Sequence, residues 1–177
     1  MDTKVRTFEL TVWPHMRAAY NLARWLVRND QDAEDIVQES FLKAYRAQDT
    51  FRGSEPKTWM LSIVRNTAMD FLRRVKSSAT TLGDPDHEPA DPSPDPERAL
   101  LEQSRRKQVR KAISHLAPEF REAIVLREIE GLPYKEIAAV LNIPMGTVMS
   151  RLARARTLLL AELGGIKRDG EVQHDLP

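Results

Sequence analysis

Four polar residues in the C-terminal third of this chain are spaced for chemistry on one helix face. Thr147, Ser150, Arg151 and Arg154 fall at i, i+3, i+4 and i+7, and at about 100° per residue they form one narrow stripe. A guanidinium can bond bidentately to guanine O6 and N7. Hydroxyls suit phosphate oxygens, and a threonine methyl can meet the methyl of thymine. Val148, Leu152 and Ala155 repeat the same spacing on a neighbouring face, where they can pack on Ile137 and Leu141. A helix lying in the major groove needs this division into an anchored side and a reading side. The bland alternative is an amphipathic surface helix whose charges are merely solvated, so the surrounding elements decide.

Those elements favour DNA. Pro133 opens a short helix, KEIAAVL, with Ile137, Ala138 and Leu141 directed inward. Asn142 tolerates a left-handed turn, and Pro144 launches the final helix. A short helix, a tight turn and a longer helix make a helix-turn-helix over Leu132–Arg156. Upstream, Pro118 and Glu119 begin a helix with Phe120, Ile124 and Ile129 among its apolar positions and Gly131 as its C-cap. Before it, Arg98–His115 reads as a basic helix.

The N-terminal block is helical as well. Phe8 to Arg28 carries Leu10, Trp13, Tyr20, Trp25 and Leu26, with Pro14 marking an early turn or kink. Asn29-Asp30-Gln31 breaks the chain, and Asp30 or Asp32 suits the N-cap of the next helix. From Ala33 to Arg46, Val37, Phe41 and Ala44 share one face, while Asp32, Asp35 and Glu39 share another. After a loop over Gln48–Glu55, Pro56 is placed for the first position of a helix reaching about Arg74. No strand-like alternation and no internal repeat occur. The chain reads as all-α.

Charge divides it. Residues 1–76 carry 13 Lys/Arg against 10 Asp/Glu, residues 98–166 carry 12 against 7, and residues 77–97 carry none against 6. The acidic stretch also holds five of the eleven prolines and a single large aliphatic residue, Leu82. Lost amide donors and mutually repelling carboxylates prevent a core there. It reads as a flexible linker, 77–97, between two small helical domains, 1–76 and 98–166. Residues 167–177 read as a disordered tail. The carboxylates of the linker serve either a solvated tether or an acidic mimic of nucleic acid.

Several chemistries are disfavoured. There is no cysteine, which removes disulfides, thiolate catalysis and cysteine-ligated zinc. His15, His87, His115 and His174 are scattered, so no metal site is expected. No phosphate-binding glycine loop or nucleophile elbow occurs, so neither an enzyme nor a cofactor is expected. MDTKVRTFEL lacks the apolar core of a secretory signal, and no apolar run reaches the ~18 residues of a membrane span. A cytoplasmic location is expected.

The sequence LPYKEIAAVLNIPMGTVMSRLARAR, Leu132–Arg156, resembles the promoter −35 reader of bacterial sigma factors, especially the two-domain extracytoplasmic-function group. LAPEFREAIVLREIEG, Leu116–Gly131, resembles the helix preceding that reader. DAEDIVQESFLKAYR, Asp32–Arg46, resembles the segment that docks on core RNA polymerase. TWMLSIVRNTAMDFLRR, Thr58–Arg74, resembles the −10 reader. Met149 departs from the pattern, standing where many relatives have lysine. Pro133 stands where a Ser or Thr cap is common.

The resemblance implies roles. Asp32, Asp35, Gln38 and Glu39 match the polymerase-docking helix, where carboxylates suit a basic partner surface. Lys57, Arg65, Arg73 and Arg74 would hold the backbone of single-stranded −10 DNA, and Asn66 would read a base edge. Trp59 either stacks on a base or, by its spacing with Ile63 and Asn66, belongs to the core. Asp70 matches an acidic family position suited to pairing with an arginine. The −35 contacts fall to Thr147, Ser150, Arg151 and Arg154. Implied partners are core RNA polymerase, promoter DNA and a cognate anti-sigma factor. The rivals are a stand-alone helix-turn-helix regulator and a sigma look-alike that sequesters an anti-sigma factor. The first leaves the Asp32–Arg46 segment unexplained, and the second should lack Arg151 and Arg154.

Overall fold

The computed structural model describes residues 3–51, 55–77 and 96–169. Helices carry the whole architecture, and no strand occurs among the described residues. The chain opens with α1 (Thr3–Val12), and a 3-10 turn at Trp13–His15 containing Pro14 redirects it into α2 (Met16–Val27). Proline removes an amide donor, so the helix breaks and restarts there. In α2, Ala18, Ala19, Leu22, Ala23, Leu26 and Val27 are buried, a 3.6-residue rhythm that places small side chains against its neighbours.

Arg28 ends α2 in the left-handed region at φ 61°, and its amide closes on the Arg24 carbonyl at 2.9 Å. The cap of α3 (Asp30–Ala47) is Asn29, not Asp30 or Asp32: its side-chain oxygen accepts from the Asp32 amide at 3.0 Å. Asp30 is drawn elsewhere, accepting from Tyr20 Oη at 3.1 Å and pairing with Arg24. Burial, followed by the bond to Asp30, raises the Tyr20 pKa. Ala33, Ile36, Val37, Ser40 and Ala44 form the inner face of α3.

Pro56 starts α4 (Pro56–Ser77), whose Met60, Leu61, Val64 and Ala68 complete a three-helix core with α2 and α3. α1 leans on this bundle through Phe8, edge-on to Phe41 and Tyr45 at 6.5 and 5.4 Å. The proposed linker lies almost wholly outside the described residues.

The C-terminal part comprises α5 (Pro96–His115), α6 (Pro118–Ile124), α7 (Tyr134–Leu141) and α8 (Met145–Asp169). Thus α8 extends into the stretch read as tail. His115 Nδ1 and Glu162 Oε1, 2.5 Å apart, join α5 to α8. After α6 the backbone widens into a π turn over Val125–Ile129, with the Glu130 amide bonding the Val125 carbonyl at 3.0 Å. This wider turn changes the register, and Ile129, one of the apolar positions of this segment, is exposed. Gly131 follows at φ 71°, and the Leu132 amide reaches back to the Leu126 carbonyl at 3.0 Å. Arg127 stabilises the corner, lying 5.1 Å over the Tyr134 ring and donating to the Leu132 carbonyl at 2.9 Å.

The two helical groups pack on each other, α2 against α6 and α4 against α7. Arg121 is buried in this seam and donates to the carbonyls of Leu116 at 2.9 Å and Trp25 at 3.3 Å. Burial, and then the nearby Arg28 cation, lowers its pKa.

Candidate nucleic-acid interface

The turn before α8 is built from backbone geometry. Asn142 adopts φ 53° and ψ 51°, and the Ile143 amide returns to the Ala138 carbonyl at 3.1 Å. Asparagine visits this region at lower cost than most residues. Pro133 occupies the cap position of α7 with an extended backbone, so it precedes the helix that it was expected to open from within. The Pro144 carbonyl accepts from the amides of Thr147 and Val148 at 3.0 and 3.2 Å, starting α8.

Val148, Leu152 and Ala155 are fully buried and share a core with Ile137 and Leu141. With that face fixed, Ser150 and Arg154 are exposed and Thr147 and Arg151 half-buried on the expected stripe. Ser150 Oγ donates to the Thr147 carbonyl at 3.0 Å. Arg156, beside the stripe, is held by Glu128 at 2.8 Å, which is also the main cause of its raised pKa. Met149 is exposed, so its thioether stands at the surface.

On α4, Lys57 and Arg65 have partners that the sequence did not suggest. Lys57 Nζ donates to the Glu130 carbonyl at 2.6 Å and lies 3.5 Å from its carboxylate. Arg65 donates through Nε and Nη2 to Glu122 Oε2 at 3.3 and 3.2 Å. Arg73 pairs with Asp70 at 2.8 Å, the arginine pairing expected for that carboxylate, and Arg74 lies 3.9 Å from Glu39. Trp59 is half-buried, packed against the core and stacked on Phe51 at 4.6 Å between centroids. Asn66 is exposed.

On α3, Asp35 and Gln38 are exposed, and Asp32 and Glu39 are half-buried. Glu39 also accepts from Lys43 at 2.8 Å. Gln38 borders an open groove formed by Trp13, Met16, Arg17, Tyr20 and Val37, and Trp13 and Leu10 are largely exposed nearby. The acidic face of α3 therefore adjoins apolar surface. Periodicity did not reveal this, because the groove depends on how α2 crosses α3.

Residues 12–78 match the sigma-70 region 2 family model, and residues 106–159 match sigma-70 region 4. The RNA polymerase sigma-H factor of Pseudomonas aeruginosa is 37% identical over 173 residues, covering 93% of this chain and 90% of that protein. This chain is a sigma factor of the extracytoplasmic-function, sigma-70-like group. The ECF RNA polymerase sigma-E factor of Escherichia coli K12 is 41% identical over 134 residues, 71% of this chain and 70% of that one. Among solved structures, the sigma factor RpoE of Bartonella quintana, in complex with the anti-sigma factor NepR, superposes with TM-score 0.75 at 28% identity. It covers 90% of this chain and 98% of that one. CnrH, in complex with the cytosolic domain of CnrY, gives 0.64 at 29%, covering 90% and 89%.

As a sigma factor, the protein directs promoter-specific initiation by RNA polymerase. The region 2 match discounts a stand-alone helix-turn-helix regulator. No described helix is long and apolar enough to cross a membrane.

Proposed function

We propose a division of labour within this sigma factor. Residues 1–76 dock on core polymerase and capture −10 DNA, residues 98–166 read −35 DNA, residues 77–97 connect them, and residues 167–177 are a tail. Asp32, Asp35, Gln38 and Glu39 face the polymerase. Thr147, Ser150, Arg151 and Arg154 meet the −35 duplex. Lys57, Trp59, Arg65, Asn66, Arg73 and Arg74 serve the melted −10 strand. The observation that carries the reading is the divided surface of α8, where Val148, Leu152 and Ala155 are fully buried and Arg154 is exposed across the helix.

Melting needs no hydrolysis on this reading. Captured bases offset the few kcal/mol lost per unstacked step. The sigma factor thus selects the start site without catalytic residues of its own, and it works in the cytoplasm, where polymerase is. A cognate anti-sigma factor is part of the proposal, supported by the partners in the Bartonella quintana RpoE and CnrH structures.

The test is reconstitution. Core polymerase with this protein should start transcripts at defined sites in a genomic fragment library that core alone ignores. Absence of such transcripts would overturn the reading.

A further inference from the structure

Two methionines stand at the surface of the helix proposed to read −35 DNA. Met145 and Met149 are 49% and 47% exposed, one turn apart at i and i+4 within the first two turns of α8. Take the fully buried Val148, Leu152 and Ala155 as the back of this helix. Gly146, Ser150 and Ala153 then lie within about 50° of its front, at about 100° per residue. All three are exposed and small, and a Cβ added at Gly146 would meet nothing within 4 Å. No bulky side chain holds the front of α8 away from a surface. Thr147, Arg151 and Arg154 flank this front on one side, and Met145 and Met149 flank it on the other.

A lone exposed methionine calls for no explanation. Here two share the flank that adjoins a small-residue front, at the end of the helix that comes nearest to base edges in helix-turn-helix readers. Met145, Gly146, Met149 and Ala153 carry no charge, and Arg156, two turns beyond Met149, is paired with Glu128 at 2.8 Å. This side of the helix therefore offers little to a phosphate oxygen. What it offers is an unbranched, polarizable side chain that adapts its shape to an apolar group. In the major groove that group is the C5 methyl of thymine, which no other base presents.

We infer that Met149 reads a thymine methyl of the −35 duplex, with Met145 extending the same apolar flank, on the side of α8 away from its arginines. The inference rests on α8 being the −35 reader, and it deepens that reading by naming a second kind of base contact. Arginine on one flank favours guanine, and methionine on the other favours A·T pairs through the methyl group alone. The −35 sequence is then selected by both flanks together, and the thioether contributes specificity without a hydrogen bond.

The test uses holoenzyme reconstituted from core polymerase and the full-length protein, on a promoter fragment from a mapped start site. Each thymine of the −35 element, on both strands, is replaced singly by deoxyuridine, which lacks only the methyl group. Loss of one buried methyl should weaken wild-type binding about fourfold at one or two of these positions. Met149→Ala should weaken binding to the thymine duplex by a similar factor and be indifferent to uracil there, the non-additivity expected of groups in contact. Met149→Leu, still apolar and of similar size, should keep the sensitivity. Arg154→Ala on the same fragments separates this inference from the one beneath it. Weaker binding by Arg154→Ala without any effect of uracil on wild type would overturn the methyl contact and leave the reader in place. Uracil sensitivity retained in full by Met149→Ala would overturn it too, as would a −35 element with no A·T pair. If neither variant changes binding at any −35 base pair, α8 is not the −35 reader and both readings fall.

Discussion

Arg154→Ala is the sharpest probe of the proposed reading face, because no hydrogen bond or ion pair among the described residues holds its side chain. It is exposed on α8, three residues beyond Arg151 and beside the fully buried Ala155. Alanine and arginine both favour helix, so truncation there should change folding stability by no more than about 0.5 kcal/mol. A lost bidentate base contact costs about 1–3 kcal/mol at one base pair, or roughly 5- to 150-fold in affinity. Arg151 makes the contrasting case. It is half-buried and helps to offset the charge of buried Glu122. Arg151→Ala should therefore lose DNA affinity and also cost on the order of 1 kcal/mol of stability. The assay is a panel of −35 duplexes, each changed at one base pair and chosen from start sites mapped with reconstituted holoenzyme. Urea denaturation of the same proteins supplies the stability. Specificity should relax at one position for Arg154→Ala. An equal loss on every duplex would make it a phosphate contact, and no loss at all would refute the assignment of the stripe.

Three further outcomes rest on the geometry. Asn142→Val, forced into φ 53°, should destabilise the protein by about 1–2 kcal/mol, whereas Asn142→Gly should stay within a few tenths; equal urea midpoints would show that the turn relaxes. His15 has its pKa lowered from 6.5, first by burial and then by the Lys57 cation. The unfolded chain therefore takes up the proton first, and stability present above about pH 6.5 is lost as the pH falls towards the folded-state value. Wild type should lose more stability than His15→Gln between about pH 7.5 and about pH 5.5 in urea melts, and parallel losses would exclude His15 as the cause. Asp35→Arg, a change at an exposed position of α3, should abolish co-elution with core polymerase while leaving the thermal midpoint unchanged. Retained co-elution would remove Asp35 from the docking face.

Much of this architecture could be read from side-chain periodicity. Val148, Leu152 and Ala155 announced the buried face of α8, and Asn142 announced its turn, because both are decided within a few residues by local sterics and apolar spacing. The π turn was not legible. Nothing in VLREI forbids an ordinary helix, and the wider turn appears only where Glu130 folds back on Val125 and Leu132 on Leu126. That is why the exposure of Ile129 could not be read from its apolar spacing. The cap of α3 was misread because tertiary contacts decide it. Asn29, Asp30 and Asp32 are all competent, and the choice depends on Arg24 and Tyr20 drawing Asp30 away.

The cross-module contacts lay furthest from sequence reading. Glu122, Glu130 and Glu136 sit in helical segments where a carboxylate is ordinarily solvated, and each finds its partner on a helix more than fifty residues away. Their burial changes the meaning of the cations on α4. Lys57 and Arg65 looked like free charges awaiting a phosphate, yet both are satisfied within the chain, as are Arg73 by Asp70 and Arg74 by Glu39. On the proposed −10 assignment, DNA would have to exchange one anion for another.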